Sequence, residues 1–376
     1  MSEVERFEYG LFTVVLGVMA GTSFTCGTVQ AEPIDGICQE KMRAIYEEVK
    51  TPFKYGVILA PEEGKMLDNP NVFRHGDKWY MLYIVFDKLG YETHLAESDD
   101  LLHWTKRGCV LPRGPAGAWD VAQADARPSL LNPEWDGDNT LGKFDGKYWA
   151  TYIGGAKTGY ETDPLSIGVA TTDDPSAAKP WERLPKPVLT PGDADARAFE
   201  GKTLFKSFVI DDPKRRLGAR FAMYYNAKQK GEWVERIGLA VSDDMRSWRR
   251  VGKEPCVANE GALDHGLVGD PMVRKIGDTF VMFYFGYNWD RKGGSAFETF
   301  AASKDLVNWT KWTGPKLVES SEPWDRTHAH KPWAIKHDGV VYHFYCAVGD
   351  RGRALALATS KDMRSASGIR QTKAGL

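Results

Sequence analysis

The sequence lacks the features that mark a chain for several common tasks. Only five cysteines occur in 376 residues, Cys26, Cys38, Cys109, Cys256 and Cys346. None forms a CxxC pair or a Cys/His zinc spacing, and an odd, unpatterned set is not a disulfide framework. The set leans towards reduced thiols. Charge of one sign is also missing, since 49 lysines and arginines face 51 aspartates and glutamates. Without a basic field there is no electrostatic case for a nucleic-acid partner. No apolar run reaches the roughly 20 residues that a spanning helix needs, so no membrane-spanning segment is expected. Walker loops, a GxGxxG ahead of a helix, HExxH and GxSxG are all absent. With them go the nucleotide, zinc-peptidase and serine-esterase chemistries that those motifs carry.

Aromatic residues and a repeat are what the chain does have. Thirteen tryptophans, fifteen tyrosines and seventeen phenylalanines suit a strand-rich core, and a minority of them suit a sugar-stacking cleft. The repeat is a strand entrance, clearest in DNPNVFRHGDKWYMLY from Asp68 to Tyr83. It returns as GDPMVRKIGDTFVMFY from Gly269 to Tyr284 and HKPWAIKHDGVVYHFY from His330 to Tyr345. A second element follows it: ESDDLLHW (Glu97–Trp104), SDDMRSW (Ser242–Trp248), SKDLVNW (Ser303–Trp309), a shortened SKDM and a loose TTDDPSAAKPW. Its aspartate reads as a turn cap and its tryptophan as packing. Copies roughly 55–75 residues apart, slightly longer than the usual blade repeats, predict an all-β, five-bladed β-propeller of four-stranded blades.

The first forty residues do not share the pattern. Leu11–Ala20 is short and apolar, followed by a small-residue site at Val29-Gln30-Ala31, as in a secretory leader. Against this, Glu3, Glu5 and Glu8 outnumber Arg6 where a leader wants positive charge. Two readings stand: a leader and a periplasmic or secreted protein, or an extension before a start at Met42 and a cytoplasmic one. Residues 1–41 are therefore set apart from a propeller domain at 42–376. EKMRAIYEEVK, Glu40–Lys50, has helical composition, so a short N-terminal helix is expected to lead into the first blade. The polar tail from Ser365 is expected to fray.

In a propeller the first strand of each blade lines the central channel, so its entrance contributes to one ring. Those positions read Asp68, then Asp125 or Arg127, Glu200 in FEGKTLF, Asp270, and His330 with Lys331. Charged groups in a narrow channel are costly unless paired or used. Converging carboxylates push their pKa values apart and leave one protonated near neutral pH. Breaking a glycosidic bond requires such an arrangement, with one acid protonating the leaving oxygen and one carboxylate activating water.

DNP in the first blade, FEG in the third and the five-bladed pattern resemble the glycoside hydrolase family 43 superfamily (families 32, 43, 68 and 117, related to family 130), over most of the chain after Lys54. The resemblance implies Asp68 as base, Glu200 as acid and Asp270 as the third, tuning carboxylate. That family usually places the tuning carboxylate in an earlier blade, where Asp125, Glu134 and Asp138 stand. HAHKPW resembles family 117, which leaves His330 as acid, metal ligand or substrate contact. No cofactor is implied as required, and the resemblance is compatible with a structural or channel-bound calcium ion. Arg127, His330 and Lys331 together read as a cationic edge suited to an anionic sugar. Trp289 and Tyr287, in a glycine-rich loop, are stacking candidates. The expected activity is exo-acting, inverting hydrolysis of a terminal sugar from an oligosaccharide or glycoside, as in polysaccharide degradation. Phosphorolysis and a non-catalytic carbohydrate-binding propeller are the alternatives.

Overall fold

A computed structural model of the chain describes residues 36–260, 264–288 and 294–364. Leu11–Ala20, the candidate cleavage site, Trp289 and the tail from Ser365 lie outside the described residues. Apart from one α-helix, Gln39–Val49, and two single 3-10 turns, the secondary structure described is all β. The helix starts one residue before its expected first residue and ends one before its expected last. Among the described residues no helix is long and apolar enough to cross a membrane.

The strands form five antiparallel groups of four, each opening on an inner strand. The inner strands are Met66–His75, Gln123–Pro128, Thr203–Asp211, Gly266–Ile276 and His328–His337. The fifth group takes its outer strand, Phe53–Leu59, from the beginning of the described chain, where it pairs with Gly352–Thr359. Single parallel pairs, Tyr91 with Gln123 and Glu235 with Leu267, join the first group to the second and the third to the fourth.

The second strand of each group is buried along nearly its whole length, as in WYMLYIVF from Trp79 to Phe86. A strand covered on both faces reads as a continuous apolar run rather than an alternation. It reverses from the inner strand through Gly76-Asp77, where Gly76 takes φ +60. The SDD elements do what their composition predicts. Asp100 Oδ1 accepts the N–H groups of Leu102 and His103, and Asp244 and Asp305 repeat the pattern. These are turns, remote from chemistry.

The helix buries Met42, Ile45 and Val49 against the core. Tyr46 stacks on Trp312 at 5.2 Å, and Glu48 accepts from Trp135 Nε1 and Lys336 Nζ. Burying three aliphatic side chains contributes roughly 1.5–3 kcal/mol each. The helix thereby ties the second, fourth and fifth groups together.

Candidate active site

Four of the five inner strands are interrupted at the same place by a bulge. The shifts fall between Asp68 and Asn71, Phe205 and Phe208, Gly269 and Met272, and His330 and Trp333. Inside each bulge one residue adopts left-handed backbone: Asn69 (φ +54), Lys206 (+50), Asp270 (+54) and Lys331 (+64). That conformation is uncommon without glycine, and a bulge re-aims the side chain it carries. The equivalent positions in the four bulged strands, which we call the ring, are therefore Asn69, Lys206, Asp270 and Lys331. Asp125 of the second group completes it, accepting from Asn69 Nδ2 at 2.7 Å and pairing with Lys206 Nζ.

Above this tier lies a cavity of about 370 Å³. Three of its lining residues are carboxylates, and their surroundings differ. Glu161, in the loop after the second group's second strand, has left-handed backbone (φ +44). Its Oε1 accepts from Lys331 Nζ at 3.0 Å and sits 3.2 Å from Lys206 Nζ. Burial favours its neutral form, but Lys331, Lys206 and Lys228 outweigh burial and hold the carboxyl well below its ordinary range. Glu235 opens the third strand of the third group. Burial pushes its carboxyl up to about 7; Lys228, 3.7 Å away, opposes only in part, and the Glu161 charge adds to the rise. Asn226 orients it. The Asn226 carbonyl accepts the Asp270 N–H at 2.7 Å, so its amide donates to Glu235 Oε2 at 3.3 Å. Asp270 is also raised by burial, against Lys331, Lys206 and Arg127, and its Oδ1 is buried with no hydrogen-bond partner.

No protein-family model and no curated protein sequence matches the chain. Solved structures do. One named a glycoside hydrolase is 46% identical, covers 87% of this chain and 96% of its own, and superposes with a TM-score of 0.82. The chain is a glycoside hydrolase. A structure of BT0996 in complex with RGII is similar at 47% identity, with the same coverage of 87% and 96% and a TM-score of 0.83. A thermostable family 43 glycoside hydrolase shares the fold at 14% identity, covering 82% of this chain and 91% of its own, with a TM-score of 0.57.

In this glycoside hydrolase several expected site residues stand elsewhere than their strand register implied. Glu200 is not at the ring, which Lys206 fills in that strand. It closes a 3-10 turn, fully buried, where it accepts from Arg197 Nε (2.8 Å), Tyr225 Oη (2.5 Å) and Arg250 Nε (2.6 Å). It does not line the cavity. Asp68 is one residue before its ring position, behind the cavity wall. Its Oδ2 accepts from Lys331 Nζ (2.8 Å), Tyr160 Oη (2.9 Å) and Arg353 (3.0 Å). Burial would raise it, but Lys331 and Arg353 win and hold it ionised well below the usual range. Arg127 lies beneath the ring, donating to Asn71 Oδ1 and the Pro271 carbonyl, so it forms no edge of the cavity. Asp125 is buried at the ring, whereas Glu134 pairs with Lys275 and Asp138 caps Thr140, both away from the cavity.

His330 and Lys331 do line the cavity, as does Tyr287. His330 Nδ1 lies 3.1 Å from the Cys346 carbonyl, so it carries the proton, and Nε2 accepts from Arg353 at 3.1 Å. Burial, with Arg353 and Lys331 beside it, holds the imidazole neutral, well below its ordinary pKa. Its ligand atom groups with those of Asp68 and Cys346, but calcium wants six to eight oxygens. Here one donor is a sulfur, one a ring nitrogen, and Lys331 and Arg353 already occupy the carboxylate. The residues do not fit calcium.

Glu161 and Glu235 were not singled out by the strand repeat because neither belongs to it. Glu161 sits within a loop and Glu235 where a loop meets its strand, the usual positions for functional residues on a rigid scaffold. GYETDP, with Glu161 next to Tyr160, and GEWVER, with Glu235 two residues after Trp233, are the signals that mark them.

Proposed function

We propose that this glycoside hydrolase removes a terminal sugar with Glu235 as general acid and Glu161 as the carboxylate that activates water. The observation that carries this reading is their opposite ionisation within one cavity, with Glu235 raised to about 7 and Glu161 held well below its ordinary range. Asp270, electrostatically coupled to both glutamates and to Arg127, tunes the pair. Lys331 and Lys206 hold Glu161, and Asp68 holds Lys331. An acid with a pKa near the working pH and a base ionised below it is the division of labour that glycosidic cleavage requires.

The strand groups support a five-bladed propeller beginning at the helix, closed where Phe53–Leu59 completes the last blade. A cavity near the lower end of ligand-pocket volumes, walled by Tyr160 and Arg353, supports an exo mode that admits one terminal unit. Trp233, 63% exposed at its rim, suits stacking against the next sugar. With Lys331 and Arg353 engaged by Asp68 and Glu161 and His330 neutral, the terminal unit is a neutral sugar. The RGII in the complex of the 47% identical relative supports an oligosaccharide as the substrate.

We read the route as inverting and independent of metal and phosphate. Proton NMR of the first-formed sugar, in EDTA-treated and phosphate-free buffer, tests this. The expected result is product of the opposite anomeric configuration at an undiminished rate. First-formed product of unchanged configuration would make Glu161 a nucleophile, and a requirement for calcium or phosphate would overturn the reading.

A further inference from the structure

A second cluster of chemistry-bearing residues lies outside the cavity, on the two outer strands of the first group. Glu92 and His94 are two residues apart on Tyr91–Ser98, so they point to the same face. Cys109, on Thr105–Leu111, is the residue paired across from His94. The register slips between Thr93 and His94 and again between Leu95 and Ala96, and Gly108, beside Cys109, has φ +127. Only glycine takes that backbone without strain, and the bulge it allows re-aims the neighbouring thiol. One carboxylate oxygen of Glu92, one ring nitrogen of His94 and Cys109 Sγ all lie within 4.8 Å of one another. All three residues are half-buried, open to an ion from solvent.

We infer that Glu92, His94 and Cys109 form a zinc site on the outer edge of the first strand group. Thiolate, imidazole and carboxylate are the ligand set that a borderline-soft, tetrahedral ion selects, and hard calcium or magnesium would not choose the sulfur. Bonds of roughly 2.0–2.3 Å place tetrahedral ligand atoms about 3.3–3.8 Å apart, so small rotamer changes close the cluster. On binding, the Cys109 thiol proton leaves to solvent, His94 offers a nitrogen lone pair and water takes the fourth position. Arg113 already orients the carboxylate, its backbone N–H donating to Glu92 Oε1 at 3.3 Å and its guanidinium 3.6 Å from the same oxygen, as outer-sphere partners do in metal sites. Lys65, Lys106, Glu62 and Arg183 are the other charged neighbours, and Glu62 engages both lysines. None of the three ligands lines the sugar cavity. The ion would pin an outer strand whose ladder is twice interrupted.

Titration of the full-length, metal-free protein with Co2+ under reducing conditions is the test. The expected result is one equivalent bound with the intense thiolate-to-cobalt absorption of a tetrahedral site, displaced by Zn2+. Cys109→Ser abolishes the absorption while Cys38→Ser keeps it. His94→Gln and Glu92→Gln weaken zinc binding by more than the roughly 10–100-fold that an outer-sphere change costs. Zinc raises the Tm of the parent protein and not of Cys109→Ser. Unchanged glycosidase activity in Cys109→Ser shows that the variant is folded. Absence of a stoichiometric cobalt signal in the parent, or its persistence in Cys109→Ser, overturns the proposal.

Discussion

Replacing Glu161 with glutamine lowers turnover by about 10⁴-fold on every glycoside, whatever its leaving group, because Glu161 is the one carboxylate lining the described cavity that lysines hold below its ordinary range, whereas Glu235 and Asp270 are both raised. Glu235→Gln behaves differently. With a poor leaving group, such as the next sugar of an oligosaccharide, it also loses about 10²–10⁴-fold, the usual contribution of a general acid. With an activated aryl leaving group, which departs without a proton, it loses less than about tenfold. Steady-state kinetics on a series of aryl glycosides separates the two. Both variants should fold: Lys331 retains Asp68, Lys206 retains Asp125, and an amide in place of Glu235 can still accept from Asn226. Equal losses for the two variants across the series would contradict the assignment.

Lys331→Met carries the second large effect, and it acts on stability and activity together. Lys331 Nζ sits between Asp68 and Glu161, with only 4% of its side chain exposed. Removing one partner of a buried ion pair leaves the other charge uncompensated, at a cost of about 3–5 kcal/mol. Arg353 and Lys206 still reach the two carboxylates, so the lower end is expected. The pH dependence has a definite sign. Folded Asp68 and Glu161 titrate below their ordinary values, so their pairing stabilises the fold above those values and is lost as pH falls through the lowered ones. The stability gap between parent and variant is therefore widest at neutral pH and closes in acid. Activity falls by about 10²-fold as Glu161 loses its position, and the acid limb of the rate profile moves up as its strongest cation goes. Urea melts at pH 7 and pH 3, with the rate profile, check both. A gap independent of pH would show that Lys331 acts through packing alone.

The strand entrances show how far residue order carries. Gly269-Asp270-Pro271 and His330-Lys331-Pro332 each put a polar residue directly before proline, and both residues reach the ring. In Asp68-Asn69-Pro70 the eye goes to the carboxylate, yet the residue before proline is Asn69, and the bulge turns that one inward. Asp68 still matters, as the anion that holds Lys331 and Arg353. In the third group serine replaces proline, so Lys206-Ser207 was hidden and Glu200 drew attention for its charge. Three donors hold it in a buried turn away from the cavity lining. The turn elements, the short helix and the order of the strand groups follow from local chemistry, namely capping aspartates, periodicity and Gly-Asp hairpins. Glu161 and Glu235 depend on which loops converge over the ring, and a repeat does not encode that convergence. Their opposite shifts exist only after the strands have brought Lys206 and Lys331 against Glu161 and left Glu235 buried with Lys228 alone at 3.7 Å.

The pH profile of kcat/KM addresses the central claim most directly, because it reports the free enzyme's acid and base. Glu235 must be protonated, so activity is predicted to fall as pH rises through about 7. Glu161 must be ionised and is held low, so the acid limb is predicted below the ordinary glutamate value of 4.5. In Glu235→Gln, assayed on an activated aryl glycoside, the basic limb should vanish while the acid limb stays. A basic limb near 7 that survives in Glu235→Gln would contradict the account, since some other group would then be the acid.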